Sequence, residues 1–301
     1  MYILALTMET VYETIFACSG GYNYLNGKVC SQFRQIAPSV HVLVYWNQLL
    51  QEAKEVPGLK PSKEIAKLAL EKRLFHLLKV CKEFIPRDIC YQAAKEGDLE
   101  MLKWSRSNNF SCGEQVCAIA ARYGHLKLLQ WALADGCPLQ DNICSNAAFG
   151  GHLEVLKWAV NNGHSWDIYT CSNAAKGGHL EVLQWLRVKG CPWYENTCYE
   201  AASSGHLEIL KWSRSQGCPW DDRTCSFAAR EGRLEVLKWA RSKGCPWNEE
   251  TCLYAARYGH LEILKWLRAN GCPWNGSIYY GALERGHQEI AIWAKKNGCL
   301  L

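Results

Sequence analysis

Seventeen cysteines and nine histidines are the groups in this 301-residue sequence best suited to chemistry. Residues 244–266, GCPWNEETCLYAARYGHLEILKW, bring Cys245, Cys252 and His260 close together along the chain. Thiolates and imidazoles are zinc ligands, and a thiol beside a histidine is the usual cysteine nucleophile. Zinc ligand pairs are spaced Cys-x2–4-Cys. Cys245 and Cys252 are seven apart, and no second pair converges on them.

The same residues recur. One cysteine series runs at 27-residue steps from Cys90 through Cys117, Cys144, Cys171, Cys198 and Cys225 to Cys252, and Tyr279 ends it. A second comprises Cys137, Cys191, Cys218, Cys245, Cys272 and Cys299, with Phe110 and His164 at the two remaining places. A metal ligand does not survive replacement by Phe or Tyr, whereas a packing position accepts it. A nucleophile also needs one special environment, not seven equivalent ones. The cysteines are therefore expected to be core filler. No metal, no cofactor and no catalytic residue is expected, and the chain is expected not to be an enzyme. A redox role for the thiols stays open as the alternative.

Two tryptophan series keep the same step. Trp104, Trp131, Trp158, Trp185, Trp212, Trp239, Trp266 and Trp293 form one, and Trp166, Trp193, Trp220, Trp247 and Trp274 the other. Both are expected to stack between repeats as interior filler. The sharper alternative, a ladder for RNA bases, would need a basic groove as well.

The totals suit a folded, ordinary protein: 49% hydrophobic and 21% charged residues, with a net charge of +5. That mild charge does not announce a nucleic-acid partner, and none is expected. The start, MYILALTMETVYETIF, lacks a basic segment and carries Glu9, so a signal peptide is not expected. The longest apolar run, SVHVLVYW at 39–46, is too short to cross a bilayer. Reduced thiols in a reducing compartment, cytoplasmic or nuclear, are the expectation.

The elements that position these side chains follow from the period. Ala-Ala stands at 93–94, 120–121, 147–148, 174–175, 201–202, 228–229 and 255–256, and Ala282-Leu283 continues the series. A constant step gives every unit the same neighbours, which builds a stacked solenoid. The unit is clearest at 197–223, TCYEAASSGHLEILKWSRSQGCPWDDR. TCYEAASS reads as a short helix whose alanines allow close approach. Gly205 stops it, as glycine tolerates the left-handed conformation. HLEILKWSRSQ places Leu207, Leu210 and Ser213 on one helical face. Gly217 ends it, and Pro219 fixes a turn. The polar residues after Trp220 and the Thr opening the next unit are candidate N-caps.

GHLEILKWLRANGCPWN at 259–275 and AARYGH at 255–260 resemble the ankyrin repeat, with its Ala-Ala-x-x-Gly-His turn and Gly-His-Leu-Glu helix start. The likeness recurs in eight units over 89–301. It implies an all-α, ankyrin-like solenoid of helix-turn-helix repeats, and a histidine that starts the second helix and bonds to backbone nearby. The usual ankyrin period is about 33 residues. The missing residues fall where that family has its β-hairpin finger, so shortened fingers are expected. This short Gly-Cys-Pro-Trp form resembles ankyrin arrays of large DNA viruses, algae and oomycetes, which implies a host–virus interaction for the viral kind.

Residues 65–88 fit the unit loosely and are expected to be a degenerate capping repeat. Residues 51–64, with Pro57, Gly58 and Pro61, are expected to be a linker. Residues 1–50 are expected to be a helical N-terminal region. Its order, with VCSQFR at 29–34, resembles an F-box. That resemblance implies contact with the F-box adaptor of a cullin ubiquitin ligase through Leu6, Ile15, Phe16, Val29 and Phe33, and hence a substrate-receptor role. Thr7 stands where that family has proline. The other reading is a helical hairpin that covers the first repeat.

The ankyrin resemblance implies a non-enzymatic scaffold, expected to be a monomer, that binds a protein of unknown identity on the concave face. There the variable turn and helix positions are the candidates: Arg122, Tyr123, Phe149, Lys176, Arg230, Tyr254, Arg257 and Tyr258. Arg and Tyr are the residue types that dominate interface energetics.

Overall fold

The computed structural model describes residues 42–56, 59–138 and 142–299. Among them all regular structure is helical: nineteen α-helices and one short 3-10 turn, with no strand. The fold is all-α, an ankyrin-like solenoid of helix pairs. The described residues divide into two compact units, one up to residue 93 with 100–111 and the other of 94–99 with those from 112 onward. The helices Ile89–Glu96 and Leu99–Ser107 each carry residues of both.

In the first unit, α1 (Val42–Gln51) packs on α3 (Phe75–Val80), and α2 (Lys63–Glu71) packs on α3 as well. Ser62 caps α2 by accepting from the Ile65 N–H at 3.3 Å. Helix α3 begins at Leu74, which has no side-chain acceptor to offer. Asn47 of α1 supplies it: its Oδ1 accepts from the backbone N–H of both His76 and Leu77 at 3.0 Å. Two of the orphan donors at the start of α3 are thereby satisfied by another helix. The core beneath is Leu43, Leu49, Ala66, Ala69, Leu77, Leu78 and Cys81. Trp104 lies 6.0 Å from Phe75 and 5.8 Å from Phe110, ring to ring.

In the second unit the helix pair repeats. The first helices are Gln115–Arg122, Ile143–Gly150, Thr170–Gly177, Glu195–Ser204, Asp222–Arg230, Glu249–Arg257 and Ser277–Glu284, and each packs on the next in a continuous row. Each is followed by a second helix; in the clearest unit that is Leu207–Ser215. The Ala-Ala pairs are buried between first helices; Ala201, Ala202, Ala228 and Ala229 are fully covered. Their small size is what lets neighbouring backbones approach. Leu210, Leu237 and Leu264 fill the layer against the second helices.

The helix ends bear out the glycine reading and, of the two capping candidates, the polar residue after the turn tryptophan. Gly205 has φ 84°, and its N–H and that of His206 close back on the Ala202 and Ala201 carbonyls at 3.2 and 2.9 Å. The opening Thr is not the N-cap. In the later units the helix starts sooner: Asn248 caps Glu249–Arg257, and Thr251 is its third residue, completing a capping box. Asp221 caps Asp222–Arg230 in the same place. The first turn of the helix is thus built from the polar residues that follow the turn tryptophan, and Thr224 and Thr251 are buried within it.

Candidate functional site

The fifteen described cysteines are all buried. Thirteen of them stand in the two 27-residue series. The Cys171 thiol donates to the Cys191 carbonyl at 3.9 Å, and that of Cys198 to the Cys218 carbonyl at 4.0 Å. The second series reaches back into the preceding repeat. Cys245, Cys272 and Cys299 donate to the Asp221, Asn248 and Asn275 carbonyls at 3.4, 3.4 and 3.0 Å.

Contact with the Cys191 thiol and then burial push the Cys171 thiol well up. Cys198, Cys225 and Cys252 are raised in the same way by Cys218, Cys245 and Cys272. Burial, with the neighbouring Cys137 and Cys112 adding to it, carries Cys117 to about 12. A thiol held protonated is a poor nucleophile and a poor ligand. Among the described residues no three metal-ligating groups cluster.

The histidines that precede the second helices bond to backbone as expected, and the carbonyl they reach belongs to the preceding repeat. His125, His206 and His260 set Nε2 at 3.1, 3.2 and 2.8 Å from the carbonyls of Lys95, Lys176 and Arg230, each thirty residues upstream. A carbonyl only accepts, so Nε2 carries the proton. Arg233, which interrupts the series, makes the same bond with Nε, 3.1 Å from the Ser203 carbonyl. The imidazole lies over the glycine that ends the preceding first helix. A Cβ on Gly178 would sit 2.7 Å from His206 Cε1. That glycine is needed for its φ of 86° and again for the ring above it.

The tryptophans also differ from expectation. They stack between consecutive repeats, but as a half-buried ladder and not as interior filler. Trp193 meets Trp212 at 5.8 Å, Trp220 meets Trp239 at 6.1 Å and Trp247 meets Trp266 at 5.9 Å, all edge to face. A guanidinium stands over four of the five turn tryptophans: Arg187, Arg214, Arg241 and Arg268 lie 4.2, 4.1, 4.1 and 4.5 Å from the ring centroids of Trp193, Trp220, Trp247 and Trp274.

The candidate partner residues fall into two groups on the row of first helices. Arg230, Tyr254 and Tyr258 come together. Phe227 lies 6.3 Å from Tyr254, and Tyr254 lies 6.4 Å from Tyr258. Arg230 covers Phe227 at 4.8 Å, and it and Arg285 each stand 5.9 Å from the Tyr258 ring. Arg257, beside them in sequence, pairs instead with Glu284 of the next repeat at 2.7 Å. Elsewhere, Arg122 lies over Phe149 at 4.0 Å, and Tyr123 next to it is 42% exposed. Lys176 stands apart, paired with Glu200 at 3.1 Å. The F-box-like candidates Leu6, Ile15, Phe16, Val29 and Phe33 lie outside the described residues.

The structure adds residues that the sequence reading passed over. Ile168, Tyr194, Tyr199 and Arg223 line a shallow cleft of about 320 Å³ at the start of the first helices. Tyr199 meets Phe227 edge to face at 5.1 Å, so a chain of ring contacts links the cleft's wall to the Tyr254–Tyr258 cluster. The available signal was the third position of the repeat, where Tyr199 stands against Ser145, Ser172 and Ser226.

The profile of the family described as "Ankyrin repeats (many copies)" matches residues 144–187. The repeat fold is ankyrin-like. Among solved structures 165 chains match. One is the crystal structure of the human ASB11 ankyrin repeat domain, 18% identical, covering 52% of this chain and 84% of that one, with a TM-score of 0.40. No curated protein matches.

Proposed function

We propose that the chain is a non-enzymatic scaffold that binds a protein partner along the row of first helices, the side that is concave in ankyrin arrays. Ankyrin repeats generally mediate protein–protein interaction, and the family match lies within the array. The observation that carries the assignment is the arginine–aromatic cluster of Phe227, Arg230, Tyr254, Tyr258 and Arg285. Rings pre-positioned by their neighbours lose little entropy on binding, and Arg and Tyr are the commonest anchors of interfaces. The test is affinity capture with mass spectrometry from a cell lysate, comparing the native chain with one altered at Arg122, Tyr123, Arg257 and Tyr258. Loss of a captured protein supports the assignment; an unchanged set refutes it.

A second reading rests on VCSQFR at 29–34: a substrate receptor of a cullin-type ubiquitin ligase, joined to the adaptor through Leu6, Ile15, Phe16, Val29 and Phe33. Deletion should stop at residue 41, because Asn47 caps Phe75–Val80. Adaptor that co-purifies with the full chain and is lost on this deletion supports the reading; adaptor retained after deletion removes it. Fifteen buried thiols favour a reducing compartment, cytoplasmic or nuclear. The Gly-Cys-Pro-Trp turn favours kinship with the short-period arrays of viruses, algae and oomycetes.

A further inference from the structure

The cleft at the start of Glu195–Ser204 breaks a local rule of the repeat. At four other first-helix starts an Asp or Asn side chain accepts a backbone N–H: Asp167, Asp221, Asn248 and Asn275 accept from the residue two on at 2.9, 3.1, 3.1 and 2.9 Å. Between Asp167 and Asp221 in that series stands Tyr194, which makes no capping bond and is 46% exposed. Ile168, 55% exposed, stands where Glu195, Asp222 and Glu249 stand in the next three units. Both departures line the same cleft, with Tyr199 as a further wall. A chain that gives up a cap and exposes two apolar side chains around one opening trades local stability for contact with something outside it.

The charge of this edge is distinct as well. The three residues at 113–115, and at every 27-residue step to 275–277, hold eight acidic residues and one basic one, Arg223. On the second-helix segments, 98–108 and every 27-residue step to 287–297, the sign reverses: sixteen basic residues stand against nine acidic. Arg223 is held by Asp221 at 2.6 Å and stands 4.9 Å from the Tyr199 ring centroid. Glu195 in the cleft wall, and Glu249 and Glu250 beyond it, form no ion pair among the described residues. Acids in a first turn also suit the helix dipole. That accounts for the charge, and not for Ile168 and Tyr194.

From this charge complementarity we infer that the occupant of the cleft is a basic protein segment, which sets an apolar side chain between Ile168, Tyr194 and Tyr199 and a lysine or arginine against Glu195. The inference rests on the proposed scaffold reading and names its partner's chemistry. A nucleic acid carries the same sign as this edge and is repelled by it.

The experiment uses the full chain and three fluorescein-labelled peptides: one of lysines around two leucines, the same with glutamate for lysine, and the same with serine for leucine. Binding is read by fluorescence anisotropy at low and at physiological salt. The lysine–leucine peptide is expected to bind best and to weaken with salt. Tyr194→Asn should lower its affinity about tenfold, the effect of losing one anchoring ring. The urea midpoint should hold or rise in that variant, because asparagine restores the cap that Asn248 makes. A tyrosine with a structural role alone would lower the midpoint. No binding of the lysine–leucine peptide, equal binding of either control peptide, affinity indifferent to Tyr194→Asn, or a lowered midpoint overturns the inference. The scaffold reading survives any of these if lysate capture still depends on Arg122, Tyr123, Arg257 and Tyr258. Capture that ignores those four residues removes the binding row, whatever the peptides show.

Discussion

The histidine that reaches back thirty residues makes a sharp prediction about glycine. Two glycines in the array share a backbone conformation and differ only in what lies above them. Gly178 ends a first helix with φ 86°, and a Cβ there would meet His206 Cε1 at 2.7 Å; Gly217 ends a second helix with φ 80°, and nothing lies within 4 Å of its Cβ. Alanine at Gly217 therefore incurs only the left-handed penalty, about 1–2 kcal/mol. Alanine at Gly178 incurs the same penalty and displaces the imidazole, breaking the bond to the Lys176 carbonyl, which is worth about 1 kcal/mol more. Its total is about 2–3 kcal/mol. His206→Ala alone loses the bond and costs about 1 kcal/mol. The double variant Gly178→Ala with His206→Ala should then be less damaging than the sum of its parts by about 1 kcal/mol, because the bond is lost only once. Urea unfolding followed by circular dichroism measures all four, with midpoint and slope compared because long arrays can unfold in stages. Equal costs at Gly178 and Gly217, or additive behaviour of the double variant, would refute the staple between repeats.

Acid should loosen the same staples. Burial, with help from neighbouring histidine charges, lowers the pKa of His152 and His179. The unfolded chain then takes up protons first, so stability is full above about pH 6.5 and falls as pH drops through that value toward the folded pKa. Urea midpoints between about pH 7.5 and 5.5 should show the fall, and changing both residues to Gln should flatten it. The described cysteines should resist a thiol reagent in the native state and react once the chain is unfolded, since all of them are buried; mapping fast native labelling to any of them by mass spectrometry would contradict this. Arg214→Ala should cost about 1–2 kcal/mol, because the guanidinium covers Trp220 at 4.1 Å and donates to the Cys218 carbonyl. Lysine, lacking the planar fork, should restore little of it in the same urea assay.

Much of the fold was legible because its signals are local. A glycine after a short apolar run ends a helix wherever it stands, and its recurrence every 27 residues exposes the array before any contact is known. The capping residue was less legible. The sequence offers both Asn248 and Thr251, and only backbone geometry shows that Asn248 has φ −142° outside the helix while Thr251 lies within it. The tryptophans misled for a related reason: large and apolar, they read as core, yet guanidinium groups from the preceding second helices let them lie at the surface. Of the candidate site, the turn residues were legible as the positions free to vary. Their grouping was not, because Arg230 meets a tyrosine 28 residues later and Arg257 meets a glutamate 27 residues later.

The amino-acid sequence alone therefore determined the unit, its count and the buried nature of its cysteines, since each depends on residues within one period. Tertiary structure decided what each histidine, arginine and tyrosine does, since their partners stand one repeat away in space. A side chain whose own unit cannot satisfy it takes its partner from the neighbouring repeat. His206 on the Lys176 carbonyl and Arg285 beside Tyr258 are meaningful only once the repeats are stacked.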